Sequence, residues 1–340
     1  MTADAINREV INRVSGKINA LLQENYVFPD RVPAIVAESQ ARLNVVSGFE
    51  SLDALCKQMT DDLRDISKDC HMLVRYVERP IDKGTSEEPS EMEIEEEMLE
   101  ARLDGGGIHR VERLAGNIGL IEIRDFYPPR HHADVIPAAM KLVAGTDALI
   151  FDLRRNCGGY PDTVAIWMGY LFEETTHLID LEWRHLKRTD SFWSLPYVPG
   201  APYLDRPLYV LIGPKTVSGG EMFAYALKNR NMATLVGETT KGAAHGRIMF
   251  AAEEHIAAHI PAGYPSDPLT GTNWEGVGVA PDISVSSEDA FDRAYSIALV
   301  SVADRYQGQD GPRSKVHKEA RAAIEEGAST QHGTSDERRQ

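Results

Sequence analysis

Ser218 lies in RPLYVLIGPKTVSGGEMFAYALKNR (Arg206–Arg230), a strand-like apolar run followed by a short turn and a helix-forming stretch. A hydroxyl at a helix start sits beside backbone N–H groups that have no intrahelical partner, at the positive end of the helix dipole. Such groups stabilise the oxyanion that forms when a serine attacks a carbonyl. The amide of Gly219 is one natural donor, and Gly219 and Gly220 leave room for a substrate backbone. The same residues also read as a capping box, Ser218 with Glu221 three positions on, which begins many helices that do no chemistry.

A second strand exit, ALIFDLRRNCGGYPD (Ala148–Asp162), ends in the pair Gly158–Gly159. Asp152 and Asn156 suit turn stabilisation, and the glycines permit unusual backbone angles. The pair can aim a second N–H at the same oxyanion, and it equally well makes a plain strand-to-helix turn. Cys157, inside this turn, reads as a small apolar filler rather than a nucleophile.

A serine hydroxyl needs a base, and the chain offers eleven histidines. His71, in SKDCHMLVRY, stands where a helix gives way to an extended segment. His131–His132 and the pair His255/His259 suggest metal ligands by type. However, His255 and His259 fall in a strand-like stretch, where positions four apart are roughly 13 Å distant. No metal site is expected. Three cysteines without CxxC spacing argue against both a disulfide framework and structural zinc.

The elements that would carry these residues follow from periodicity. Ile6, Val10, Ile11, Val14, Ile18, Leu21 and Leu22 recur at helical spacing, as do apolar positions in Val32–Leu43 and Leu52–Ile66. They predict a three-helix N-terminal bundle over residues 1–78. Residues 79–107 contain SEEPSEMEIEEEMLEARLD, a like-charged run expected to be a solvated linker or exposed helix. From 108 to 306, strands (Gly116–Phe126, Ala148–Arg154, Leu208–Gly213, Thr234–Gly237) alternate with helices (Ala133–Gly145, Val164–Phe172, Gly219–Asn229). That alternation implies parallel βα units with active groups at the carboxyl ends of strands. The polar tail 307–340 shows no sustained apolar period and is expected to be disordered.

A formal net charge of −16 without a long basic cluster speaks against nucleic acid or an anionic membrane surface as partner. The N-terminus shows no apolar signal region and no membrane span, so a cytoplasmic location is the default expectation.

Together the motifs resemble the tail-specific (C-terminal processing) serine peptidase family, in particular its tricorn-core and interphotoreceptor-retinoid-binding-protein-like branch. The residues that carry the likeness are Asn25–Asp30 (NYVFPD), Asp69-Cys70-His71, Asp152–Gly159, Thr216–Glu221, Val236–Gly242 and Gly271–Asp282. The resemblance implies an α/β fold, a ClpP/crotonase-like spiral of ββα units behind the helical bundle, and serine-type peptide-bond hydrolysis through an acyl-enzyme. It implies Ser218 as nucleophile, Gly219 with Gly158 and Gly159 as oxyanion donors, His71 as general base and Glu275 as the carboxylate orienting it.

There are departures from the family pattern. Where Ser–Lys members carry their lysine this chain has Ala243, and Lys241 is out of register. His245, in KGAAH, is an alternative base. Cys70 replaces the relay serine of the tricorn branch. The stretch between His71 and the first core strand is too short for a PDZ domain, so none is expected. The expected partner is a peptide or protein substrate, with no cofactor, and a homo-oligomer is compatible with the sequence. A non-catalytic binder of an apolar, retinoid- or fatty-acid-like ligand and a biosynthetic acyl hydrolase are the rival functions.

Overall fold

The structure, a computed structural model, describes residues 6–81 and 91–337. Along the chain run α1 (Arg8–Asn25), α2 (Val32–Asn44), α3 (Leu52–Ser67), β1 (Leu73–Tyr76), α4 (Glu91–Leu103), β2 (Ile108–Leu114) and β3 (Ile118–Ile123). There follow α5 (Pro129–His132), α6 (Val135–Val143), β4 (Ala148–Asp152), α7 (Pro161–Met168), β5 (His177–Trp183), β6 (Arg188–Trp193), β7 (Leu208–Ile212) and α8 (Gly219–Asn229). Last come β8 (Thr234–Gly237), β9 (Gly246–Glu253), β10 (Ile256–Ser266), β11 (Ile283–Ser284), α9 (Ala290–Arg305) and α10 (Pro312–Glu337). Contacts divide the chain into two units. One comprises Met1–Ile94, Ile179–Ser191 and Ala243–Gly276, the other Glu95–Leu178, Phe192–Gly242 and Val277–Gln340.

In the first unit, α1 begins at Asn7, whose Oδ1 accepts the Val10 N–H at 3.1 Å. It buries Ile11, Val14, Ile18 and Leu22, the stripe that its spacing predicts. Ser51 caps α3, and Lys68, at φ 59°, ends it. The three helices expected from sequence at the N-terminus are present as α1, α2 and α3. The apolar faces of α1 and α3 close on a sheet, sharing one core with Phe250, Ile256, Ala258 and Ile260. That sheet has the order β1-β10-β5-β6, with β9 on β10, and its pairing with β1 and β9 is antiparallel. A later stretch of chain thus supplies apolar residues to the core of the helices.

In the second unit, a sheet of order β11-β8-β7-β4-β3-β2 is parallel except for the β2–β3 pair. Its central strands β4 and β7 are buried throughout, as continuous apolar runs predict. Ala290, Ala294 and Ala298, four apart on α9, let that helix lie close to the sheet. The expectation of a disordered tail is corrected, because residues 312–337 form α10. Its Val316, Ala320, Ala323 and Ile324 pack against the same core. This stripe is built mostly of small residues between charges, so its period is faint in the sequence. The acidic segment forms α4 over Glu91–Leu103, the helical form of that expectation, while residues 82–90 of it lie outside the described residues.

Candidate active site

The predicted site residues fall into two clusters, one in each unit. In the second unit, β7 leads through Gly213–Val217 to Ser218, the residue preceding α8. Thr216 fixes this turn: its hydroxyl donates to the Leu153 carbonyl at 2.8 Å and accepts the Gly213 N–H at 3.0 Å. Ser218 has φ 52° and ψ −113°. An ordinary N-cap sits in the extended region, so this positive φ on a residue with a side chain is strained by about 1–3 kcal/mol.

Glu221 holds that strain in place. It is fully buried, and one carboxylate oxygen accepts the Ser218 N–H at 2.9 Å. The other accepts the Thr240 hydroxyl at 2.5 Å and the Gly242 N–H at 2.6 Å. The capping-box pattern marked Glu221 in the sequence. Its ties to Thr240 and Gly242, about twenty positions away, left no local signal.

The β4 exit packs directly on this helix start. A Cβ on Gly158 (φ +99°) would lie 2.9 Å from the Ser218 Cβ, and one on Gly219 would lie 3.0 Å from the Gly159 carbonyl oxygen. Glycine is therefore required at 158, and at 219 a side chain would force the neighbouring backbone to give way. The buried Asn156 organises the turn: its Oδ1 accepts the Gly158 N–H at 2.9 Å and its Nδ2 donates to the Ile123 carbonyl at 3.1 Å. This modifies one expectation, because the Gly158 N–H is already committed to Asn156. The amides of Gly219 and Gly159 have no hydrogen-bond acceptor among the described residues. Cys157 is exposed, so it is not the apolar filler expected from its type, and partial burial raises its thiol pKa.

Beside the turn opens a cleft of about 660 Å³, with Leu99, Leu103, Asp125, Tyr127 and Cys157 among its lining residues. Burial, and then the field of Asp104, pushes Asp125 up to about 7. Glu97 of α4 accepts from Arg130 at 2.6 Å and from the Tyr160 hydroxyl at 3.0 Å, and pairs with the His131 ring at 3.1 Å. His131 is thus engaged by the Glu97 carboxylate in this structure.

In the first unit, α3 ends and Asp69 makes a tight turn, its Oδ1 accepting the His71 N–H at 3.1 Å. Arg64 secures the following residue by donating to the Met72 carbonyl at 2.7 Å. The His71 Nδ1 lies 3.9 Å from Asp69 Oδ1 and has no hydrogen-bond partner among the described residues. Burial lowers the pKa of His71 to about 4, so its ring is neutral at pH 7.

His245 joins the same cluster. Its Nδ1 lies 2.7 Å from Asp69 Oδ2 and 3.5 Å from Glu275 Oε2. Glu275 in turn accepts the Ala244 N–H at 2.7 Å and the His245 N–H at 3.3 Å, and burial raises its pKa. Phe28, from the NYVFPD segment, packs edge-on against the His245 ring with centroids 5.2 Å apart. His71, Glu275 and His245 are therefore gathered as a group. Asp69, quoted in the sequence only as part of a motif, is the carboxylate at its centre. His255 bonds the Val77 carbonyl at 3.0 Å, and His259 sits in β10 opposite Leu73.

Residues 117–285 match peptidase family S41, and residues 5–104 match the N-terminal domain of Peptidase_S41 in eukaryotic IRBP. A carboxyl-terminal-processing protease from a Picosynechococcus species is 28% identical over 179 residues, 52% of this chain and 41% of that protein. The chain spans less than half the length of the curated relatives it matches. Among solved structures, a putative peptidase from Parabacteroides merdae superposes with a TM-score of 0.60 at 18% identity, covering 85% of this chain and 96% of that one. The photosystem II D1 C-terminal processing protease gives a TM-score of 0.52 at 11% identity, over 82% of this chain and 94% of that one. Likeness at these identities concerns the fold, a mixed α/β architecture of the kind found in processing peptidases. The chain belongs to peptidase family S41, and carries that family's N-terminal domain ahead of the S41 region.

Proposed function

We propose that the chain is a serine peptidase that hydrolyses peptide or protein substrates through an acyl-enzyme on Ser218. The observation that carries this reading is the strained backbone of Ser218 at the start of α8, clamped by Glu221 beside two uncommitted amides. In this mechanism the Ser218 hydroxyl attacks the scissile carbonyl as its proton passes to a general base. The amides of Gly219 and Gly159 receive the developing oxyanion. The protonated base then gives its proton to the leaving amine, and water, activated by the same base, releases the acyl group.

His71 is the base in this reading. It keeps 10% of its side-chain surface open, whereas His245 keeps 1%. A neutral imidazole beside two carboxylates can accept the serine proton, and the carboxylates stabilise the cation that results. His245 then anchors Asp69 and Glu275.

Turnover of a peptide panel by Ser218→Ala, His71→Ala and the double variant tests the assignment. Residues acting as one unit are strongly non-additive. The double variant should therefore be no slower than Ser218→Ala. Multiplying losses, or a His245→Ala variant as dead as Ser218→Ala beside an active His71→Ala, would move the base to His245.

A further inference from the structure

The cluster in the first unit holds more ligand capacity than proton transfer needs. Asp69, His71 and Glu275 each offer a donor atom, and the three atoms lie within 4.8 Å of one another. The His71 side chain is nine-tenths buried, and its Nδ1 faces Asp69 Oδ1 at 3.9 Å with no hydrogen-bond partner among the described residues. Burying a polar nitrogen without a partner is costly, so such an atom marks a place where something else can bind. Two carboxylates converging on it favour a cation.

The donor set selects the ion. One imidazole nitrogen and two carboxylate oxygens, with a position left open, suit zinc-class divalent ions, whereas calcium and magnesium call for more oxygen ligands. Bond lengths of about 2.0–2.2 Å put neighbouring donors of a tetrahedral ion roughly 3.3–3.6 Å apart. Side-chain adjustments of about 0.6–0.8 Å per donor would close a spacing of up to 4.8 Å to that. The outer support also exists already. His245 holds the second oxygen of Asp69 at 2.7 Å, and the backbone of Ala244 holds Glu275 at 2.7 Å. Partners of this kind orient metal-binding carboxylates.

We propose that Asp69, His71 and Glu275 form an inhibitory site for a zinc-class divalent cation. The binding stands on this geometry alone; the inhibition rests on the proposed role of His71 as base, because a coordinated imidazole cannot take the serine proton.

The test uses the full chain in wild-type and Ser218→Ala forms. Zn²⁺ binding is measured by competition with a chromogenic chelator, and Co²⁺ serves as a spectroscopic probe of coordination. One equivalent should bind to both forms, with the intense visible absorption of four- or five-coordinate Co²⁺. Asp69→Asn and Glu275→Gln, checked for folding by circular dichroism, should each weaken binding at least tenfold. In the wild type, Zn²⁺ should suppress peptide turnover and EDTA should restore it. No stoichiometric binding, or binding unchanged in both variants, overturns the proposal. A chain that cleaves peptides but ignores Zn²⁺ defeats this inference alone. A chain that binds one Zn²⁺ at these residues but never labels or turns over at Ser218 defeats the peptidase reading and leaves the metal site standing.

Discussion

Among the described residues, Ser51 and Ser218 both begin helices, and they do so with different backbones. Ser51 opens α3 with φ −156° and ψ 164°, its hydroxyl accepting the Ala54 N–H at 3.1 Å, which is the relaxed geometry of a cap. Ser218 opens α8 at φ 52° under the hold of a buried glutamate. Both serines precede helices of ordinary composition, so helix formation does not explain the difference. At Ser51 the cap sits on relaxed, extended backbone. At Ser218 the surrounding structure bears a conformational cost, and the residue it strains is the one proposed as nucleophile. The relaxed start belongs to the helix whose far end presents Asp69 and His71.

The largest expected effect separates the two serines outright. Ser218→Ala should lower peptide turnover by several orders of magnitude, whereas Ser51→Ala should leave kcat within a few-fold of wild type. Comparable losses in both would erase the distinction. Next comes the clamp. Glu221→Gln leaves one arm unable to accept a buried N–H, which should cost roughly 1–3 kcal/mol in chemical denaturation. It should also slow kcat by about 10²-fold with little change in KM, because the proposed nucleophile is misplaced and not removed.

The first unit should reveal itself through pH. His71 titrates at about 4 folded against 6.5 unfolded, chiefly through burial, so the unfolded chain takes up the proton first as pH falls. Stability contributed by the neutral ring is present above pH 6.5 and lost progressively towards pH 4, on the order of 3 kcal/mol in all. Denaturation midpoints of His71→Gln should show a shallower slope across that window. If the slope is unchanged, the ring is not buried neutral.

Smaller effects sharpen the picture. Ser51→Ala should cost about 1 kcal/mol and Ser51→Gly only a few tenths. At position 218 glycine should instead be the more stable replacement, by about 1 kcal/mol over alanine, since it accepts positive φ freely. Reversed ranks at 218 would mean the backbone there is relaxed. Asp125, raised to about 7 by burial among acidic neighbours, disfavours the folded state when charged. Asp125→Asn should therefore raise Tm at pH 8 and leave it unchanged at pH 4.

Much of the second unit was legible in the sequence, because buried parallel strands announce themselves as apolar runs. β4, β7 and β8 and the bounds of α8 fall close to where the residues place them. The strained serine was visible only as a motif, since Ser-x-x-Glu describes relaxed and strained starts alike. The first unit was harder. Its sheet strands come from segments far apart in the chain, and the bond that centres its cluster, His245 to Asp69, spans 176 positions. Neither periodicity nor local motif reaches that far. Residues such as Ala320 in α10 are small enough that their burial leaves little hydropathic trace.

The most direct measurement is mass-spectrometric mapping of the protein after treatment with a fluorophosphonate. The account predicts a single covalent adduct on the peptide bearing Ser218, absent when that residue is alanine and much slower to form in Glu221→Gln. Peptide cleavage by a protein that carries its adduct elsewhere, or carries none, would contradict it.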